Sequence, residues 1–296
     1  MLRRVWSILL VTLVSAAPVA AVADSHDAQR EGGLTGTGIV GTITHLGSFH
    51  VNGQRVVYDE GFELGSALGT VAADSLLPGH TIAVEVATDG SDWRAISGHQ
   101  IFPVIGPVGG VDQDGFTVLG SRVIFDGNAV TSIPVGQWVA VSGLWRGDQI
   151  VASRVTLIAP QPQARLVGTY FEPQDGDALR VGGSLIQGIV PEHAEDGDVI
   201  QVSGDPLVAG LAAQELRLGI FDHNVGLVLA QGYMSLPRQS GLYSILGSGL
   251  AAFTSSPAMI DEAQVGVFCG VDGEISGPMP RVRALADAYK RLGCGE

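Results

Sequence analysis

Phe49-His50-Val51-Asn52-Gly53-Gln54-Arg55-Val56-Val57-Tyr58-Asp59 and Phe116-Thr117-Val118-Leu119-Gly120-Ser121-Arg122-Val123-Ile124-Phe125-Asp126 align without a gap as F-x-V-x-G-x-R-V-[VI]-[YF]-D. A repeat of this kind governs the whole fold, because each copy is then one supersecondary unit that buries its apolar face against its neighbours. Weaker copies follow at Leu179-Arg180-Val181-Gly182-Gly183-Ser184-Leu185-Ile186 and Tyr243-Ser244-Ile245-Leu246-Gly247-Ser248-Gly249-Leu250. The anchor glycines Gly53, Gly120, Gly183 and Gly247 stand 67, 63 and 64 residues apart. A second pattern recurs behind each anchor, as Gly79-His80-Thr81-Ile82-Ala83-Val84, Gly136–Gly143 and Gly197–Gly204. Its last copy, Ala263–Gly270, puts Cys269 at the Ser position.

In the second copy, alternating apolar runs bounded by Gly, Asp and Asn predict five strands: Val108–Val111, Phe116–Leu119, Arg122–Asp126, Gln137–Ser142 and Ile150–Leu157. The longest link falls between the third and fourth, an order that resembles the OB-fold, a small, partly open five-stranded barrel. The expected fold is therefore all-β: tandem OB-like five-stranded small barrels with a C-terminal α-helix. The units are placed at 36–102, 103–160, 161–221 and, more weakly, 222–279. About 60 residues bury too little surface to be stable alone, so neighbouring units should pack together. Over 280–296, Val282, Leu285, Ala286, Tyr289 and Leu292 approximate helical spacing and Gly293 offers a stop, predicting a helical cap.

The composition agrees. Of 296 residues 42 are Gly, about twice the usual share, which suits turn-rich β structure rather than long helices. Acidic residues outnumber basic ones 30 to 16, a balance that repels nucleic acid and anionic membrane surfaces. Met1–Arg4 is basic, Val5–Val14 apolar and Ala21-Val22-Ala23 a small-x-small site, so 1–23 reads as a secretory signal peptide cleaved before Asp24. The apolar run ends before Pro18 and is too short to span a bilayer, so no transmembrane anchor is expected after cleavage. Cleavage leaves 14 basic against 30 acidic residues, a net charge of −16. Residues 24–35 read as a disordered lead-in. The protein is thus expected to be periplasmic or secreted. In an oxidising compartment Cys269 and Cys294, the only two cysteines, are expected to form a disulfide.

Residues 36–159 resemble a family of exported bacterial proteins known only as a domain of unknown function with repeated OB-like β units. The likeness is carried by Gly38-Ile39-Val40-Gly41-Thr42-Ile43, the F-x-V-x-G segments and the G-x-x-[IV]-A-V strands. It implies an envelope location and a β-barrel unit, and supplies no catalytic residue. The third and fourth units lack the arginine of Arg55 and Arg122.

Four of the seven histidines, His45, His50, His80 and His99, fall in the first unit. Imidazoles on neighbouring strands can bind a transition metal, which makes His45, His50 and His99 candidate ligands; unrelated surface histidines are the competing explanation. Trp93 and Trp145 lie near predicted turns, where partial exposure would fit them for a sugar or peptide, whereas Trp138 precedes alternating Val139 and Val141 and is expected in the core. Asp112-Gln113-Asp114-Gly115 resembles a Ca²⁺ loop but sits where a hairpin must turn. Arg55 with Asp59, and Arg122 with Asp126, share a strand face and suit surface ion pairs. The chain contains no G-x-S-x-G, H-E-x-x-H or phosphate-binding glycine loop. These features predict a non-catalytic exported binding or scaffold protein of the bacterial envelope, without a cofactor, whose partner is a protein, peptide or glycan. A periplasmic metal-binding protein using the first unit's histidines is one alternative, and an enzyme with a dispersed active site another.

Overall fold

The computed structural model describes residues 36–125, 133–173, 178–189, 191, 193–234, 243–245, 251–253, 263–271, 274–275 and 288–294. The proposed signal peptide and lead-in, Gly247, Asp126 and most of the predicted terminal helix lie outside them.

The clearest barrel is the second. Strands β8 (Val104–Val111), β9 (Gly115–Val118), β10 (Ser121–Ile124), β11 (Trp138–Arg146) and β12 (Gln149–Leu157) pair in the order β8-β9-β10-β12-β11, and β11 returns to β8 to close the ring. β10 and β12 are parallel and the other pairs antiparallel, as an OB-type chain path requires. The sequence-predicted third strand starts one residue early, at Ser121, and the fourth runs on to Arg146. Asp112–Gly115 is a hairpin turn, closed by the Asp112 N–H donating to the Gly115 carbonyl at 2.9 Å.

The same order recurs. In the first unit β1 (Gly36–Thr42), β6 (Thr81–Asp89), β7 (Asp92–Ile101), β3 (Gln54–Val57) and β2 (Phe49–Val51) pair in that sequence, and an isolated bridge between Ile43 and Val51 closes the ring. Its long link carries β4 (Glu63–Ser66), β5 (Val71–Ala72) and a 3₁₀ turn at Ala73–Ser75, whose Ala73 joins Leu76 in the barrel core. The third unit, β13 (Ala164–Thr169), β14 (Arg180–Val181), β15 (Ser184–Gln187), β16 (Val199–Leu207) and β17 (Gly210–Leu218), follows the path β13-β16-β17-β15-β14 and stays a half-barrel. In the fourth, β18 (Val225–Gly232), β19 (Tyr243–Ile245), β20 (Ala251–Phe253), β21 (Gly266–Val271) and β22 (Glu274–Ile275) run β18-β21-β22-β20-β19.

Glycine marks the turn between the second and third strands of a unit. Asn52 and Gly53 have φ of 56° and 75°, Leu119 and Gly120 50° and 83°, the paired positive values of a type I′ hairpin. In the third unit Gly182 takes the positive value, 55°, one residue before the aligned anchor.

First strands join units in pairs. β1 runs parallel to β18, and Asn52 bridges that seam by donating through Nδ2 to the carbonyls of Val40 and Leu229 at 2.9 and 3.1 Å. β8 runs antiparallel to β13, with Val104 opposite Leu166. Units two and three meet about a local pseudo-two-fold: Ser121 and Ser184, equivalent by the repeat, share a hydrogen bond of 2.7 Å, and both are fully buried. On either side of this pair the turns interlock. A Cβ on Gly120 would lie 2.6 Å from the Ala209 carbonyl oxygen, and one on Gly183 3.2 Å from that of Asp148. A separate apolar cluster of Val40, Ala83, Ile101, Val167, Val199 and Ile220 joins the first unit to the third.

The C-terminal helix occupies 288–291 among the described residues. Ala288, Tyr289 and Leu292 pack into the first unit's core, and a Cys269–Cys294 disulfide ties this segment to β21. The predicted bridge is present, and the described part of the predicted cap, 288–291, is helical.

Candidate ligand-binding cleft

Burial corrects the expected exposure of the two tryptophans. Trp93 is 2 % exposed and Trp145 4 %. Trp93 lies beneath the C-terminal segment, with the Arg291 guanidinium 5.1 Å from its ring centre and its indole N–H donating to Gln54 Oε1 at 3.0 Å. Trp145 is covered by the third unit: its N–H donates to the Val167 carbonyl at 2.9 Å, and the side-chain-free face of Gly182 fits against its ring. Neither presents an open face to a ligand. An isolated barrel would expose both, and the neighbouring elements close over them. Trp138, as expected, is buried.

The three candidate metal ligands do not converge. His45 and His50 approach edge to face, ring centres 5.5 Å apart, with His45 sharing a hydrogen bond with the Thr44 hydroxyl and His50 with that of Ser48. His99 is engaged elsewhere, by Asp222. Among the described residues no three His, Cys, Asp or Glu side chains are grouped so as to hold a metal ion.

The expected Arg–Asp pairs also change partners. Arg55 binds Asp92 at 2.5 Å and Asp59 binds Arg94 at 2.5 Å. Arg122 grips Asp112 through both guanidinium nitrogens, and that contact holds the Asp112 carboxyl down at about 2.

His99 lies at one wall of a polar cleft. β4 lies parallel to the end of β7, Gly65 opposite His99, and the missing side chain of Gly65 leaves room for the imidazole. On the ring's other side Nε2 hydrogen-bonds Asp222 Oδ1 at 2.8 Å, and this contact, with burial opposing it, lowers the Asp222 carboxyl below its ordinary range. Behind it lies a buried carboxylate. Glu85 accepts from the backbone N–H groups of Asp222 and His223 at 2.7 and 2.9 Å and binds the His223 ring at 2.7 Å. Burial pushes the Glu85 carboxyl up, but these hydrogen bonds together outweigh it and the carboxyl is lowered. His223 is raised by its hydrogen bond to Glu85 and by that carboxylate's charge. The segment joining the third and fourth units is thereby fastened to β6 and β7.

The opposite wall is the outer face of the third unit. Across β13, β16 and β17 the register sets Arg165, Ser203 and Glu215 in one row and Val167, Gln201 and Arg217 in the next. The cleft between the walls has a volume of about 260 Å³. Arg165 and Arg217 stand out because each of the other described arginines has a partner. Arg55, Arg94 and Arg122 are ion-paired. Arg154, Arg180 and Arg291 donate to carbonyls, and Arg146 lies 5.7 Å from the ring centre of Tyr233. Arg165 and Arg217 have no such partner among the described residues, and both line this cleft. The sequence carries half of this signal: alternation in both strands predicts outward arginines, but not that they face the first unit.

Comparison with curated proteins and with solved structures finds no match. Residues 105–156, which span nearly all of the closed β8–β12 barrel, match a family described as a domain of unknown function, DUF5666.

Proposed function

We propose that the chain is an exported, non-catalytic binding protein of the bacterial envelope, with OB-like barrels as its scaffold and the cleft between the first and third units as its binding site. The observation that carries this reading is the pair of arginines on one cleft that have no partner among the described residues, in a chain of net charge −14. Guanidinium groups left open at a concave surface favour an anionic ligand. Export is supported by the basic–apolar–small order of residues 1–23 and by the Cys269–Cys294 disulfide, at home in an oxidising compartment. Among the described residues no helix is long and apolar enough to cross a membrane. The excess of acid argues against a nucleic-acid partner.

The test is twofold. Protein produced with its own leader is recovered from the envelope fraction beginning at Asp24, and it binds small anions while leaving them chemically unchanged in a broad hydrolase screen. Turnover that disappears on a point mutation in the cleft would contradict the reading. One observation favours an enzyme instead: His99 with Asp222 is an oriented acid–imidazole pair of the kind used in nucleophilic catalysis. Among the described residues, however, no hydroxyl or thiol hydrogen-bonds the other ring nitrogen of His99.

A further inference from the structure

We infer that the cleft takes the free C-terminal carboxylate of a short peptide segment ending in an apolar residue. This rests on the binding-protein reading and adds the ligand's chemical class.

Charge selects the ionic form of the ligand. Arg165 and Arg217 contribute two positive charges and Glu215 one negative, so the fixed charge of this wall is +1 in a protein of net charge −14. On the opposite wall His99 hydrogen-bonds Asp222, which does not itself line the cleft. A single carboxylate matches +1. A phosphate dianion would leave an excess negative charge beside Glu215, and a neutral sugar would leave both guanidinium groups desolvated without an anionic partner.

Geometry selects the same group. Arg165 and Arg217 are two strands apart and two residues out of row, about 12 Å between backbones from ordinary sheet spacings. Two arginine side chains reaching inward from that separation can meet one carboxylate between them, each offering the planar fork that carboxylate oxygens accept. Glu215 lies in the row of Arg165, beyond Ser203, and two residues before Arg217 on the same strand. As an acceptor-only group it is placed to take the N–H of the ligand's last peptide bond. A free fatty acid has no such donor.

Size and polarity set the rest. The volume of about 260 Å³ falls just below the usual range for drug-sized ligands, enough for a terminal residue rather than a long segment. Besides its polar groups the cleft meets the largely buried side chains of Ile101, Phe102 and Val167, an apolar floor against which an aliphatic terminal side chain can rest.

The test is calorimetric titration of the mature, disulfide-intact protein with N-acetyl-leucine, N-acetyl-leucine amide and inorganic phosphate, at low and at high salt. The acid should bind, and more weakly at high salt. The amide, which keeps everything but the charge, should bind at least about tenfold more weakly, as should the acid to Arg165→Met and to Arg217→Met, each loss matching one charged hydrogen-bonding group. Both side chains are at least partly exposed, so melting temperatures should be unchanged and the losses attributable to binding. Glu215→Gln should weaken discrimination between N-acetyl-leucine and the donor-lacking 4-methylpentanoate. Equal binding of acid and amide, or unchanged affinity in both arginine variants, overturns the inference. Phosphate binding without carboxylate binding overturns it while leaving the binding-protein reading in place. If all three probes fail and a cleft-dependent turnover is found, both fall.

Discussion

Substituting Ser121 by alanine should cost far more than the loss of one exposed hydroxyl, because its sole described partner is Ser184, its own equivalent 63 residues away. Both side chains are fully buried and their oxygens are 2.7 Å apart. Ser121→Ala removes one hydroxyl and leaves Ser184 Oγ without partner or water, a desolvation cost of about 1–3 kcal/mol. Ser184→Ala should cost the same by symmetry. Ser121→Ala/Ser184→Ala removes both polar groups with almost no change of volume and should return to within about 1 kcal/mol of the parent. The double-mutant cycle should therefore show a large compensating interaction rather than additivity. Urea unfolding followed through the fluorescence of Trp138 and Trp145 reads all three variants, since both rings belong to the core shared by units two and three. Single variants indistinguishable from the parent, or a double variant as destabilised as the sum of the two, would refute the face-to-face packing of these units.

Three further outcomes are expected. Replacing Cys294 by serine should destabilise the protein by roughly 3 kcal/mol in the chain-entropy account, and red-shift its emission as the terminal segment leaves Trp93, a change the parent should copy on reduction. Gly182→Ala sets a methyl group against the Trp145 ring at a φ of 55°; left-handed strain and overpacking together should cost about 2–4 kcal/mol in urea unfolding. The Glu85–His223 pair should give a stability plateau between pH 4.5 and 6.5. Glu85, lowered on folding, contributes above its unfolded value and is lost as pH falls through its folded one. His223, raised on folding, contributes below its unfolded value and is lost as pH rises through its folded one. His223→Ala should remove the alkaline limb of the thermal-melting profile and weaken the acid one, where Glu85 keeps its two backbone N–H donors but loses the ring, and by a small amount because the His223 side chain is 71 % exposed.

The strand order was largely legible because the repeat is written in turn chemistry. Asn52-Gly53 and Leu119-Gly120 adopt the left-handed values that their glycines imply. A matching interval is no guarantee of a matching role: in the third unit Gly182, aligned with Asn52 and Leu119, keeps the positive φ, and the anchor Gly183 does not share it. What the repeat could not convey is how the units cover one another. Trp93 and Trp145 sit where an isolated barrel would leave them open, and their burial comes from a terminal segment and a neighbouring unit far away in sequence. The cleft has the same origin. Arg165 and Arg217 belong to strands of one unit, His99 to another, and they share a face where Ile101, Val167 and Ile220 pack together in a separate cluster. His99 appeared in sequence as one member of a histidine group; its actual partner, Asp222, lies 123 residues away.

Hydrogen exchange of the mature protein with and without saturating N-acetyl-leucine tests most directly the claim that function resides between barrels rather than within one. Protection confined to the ends of β4 and β7, around residues 65–67 and 99–102, and to β13, β16 and β17 is the predicted result, because these elements form the two walls. Protection centred on the closed β8–β12 barrel, or on the His45–His50 turn, would contradict it.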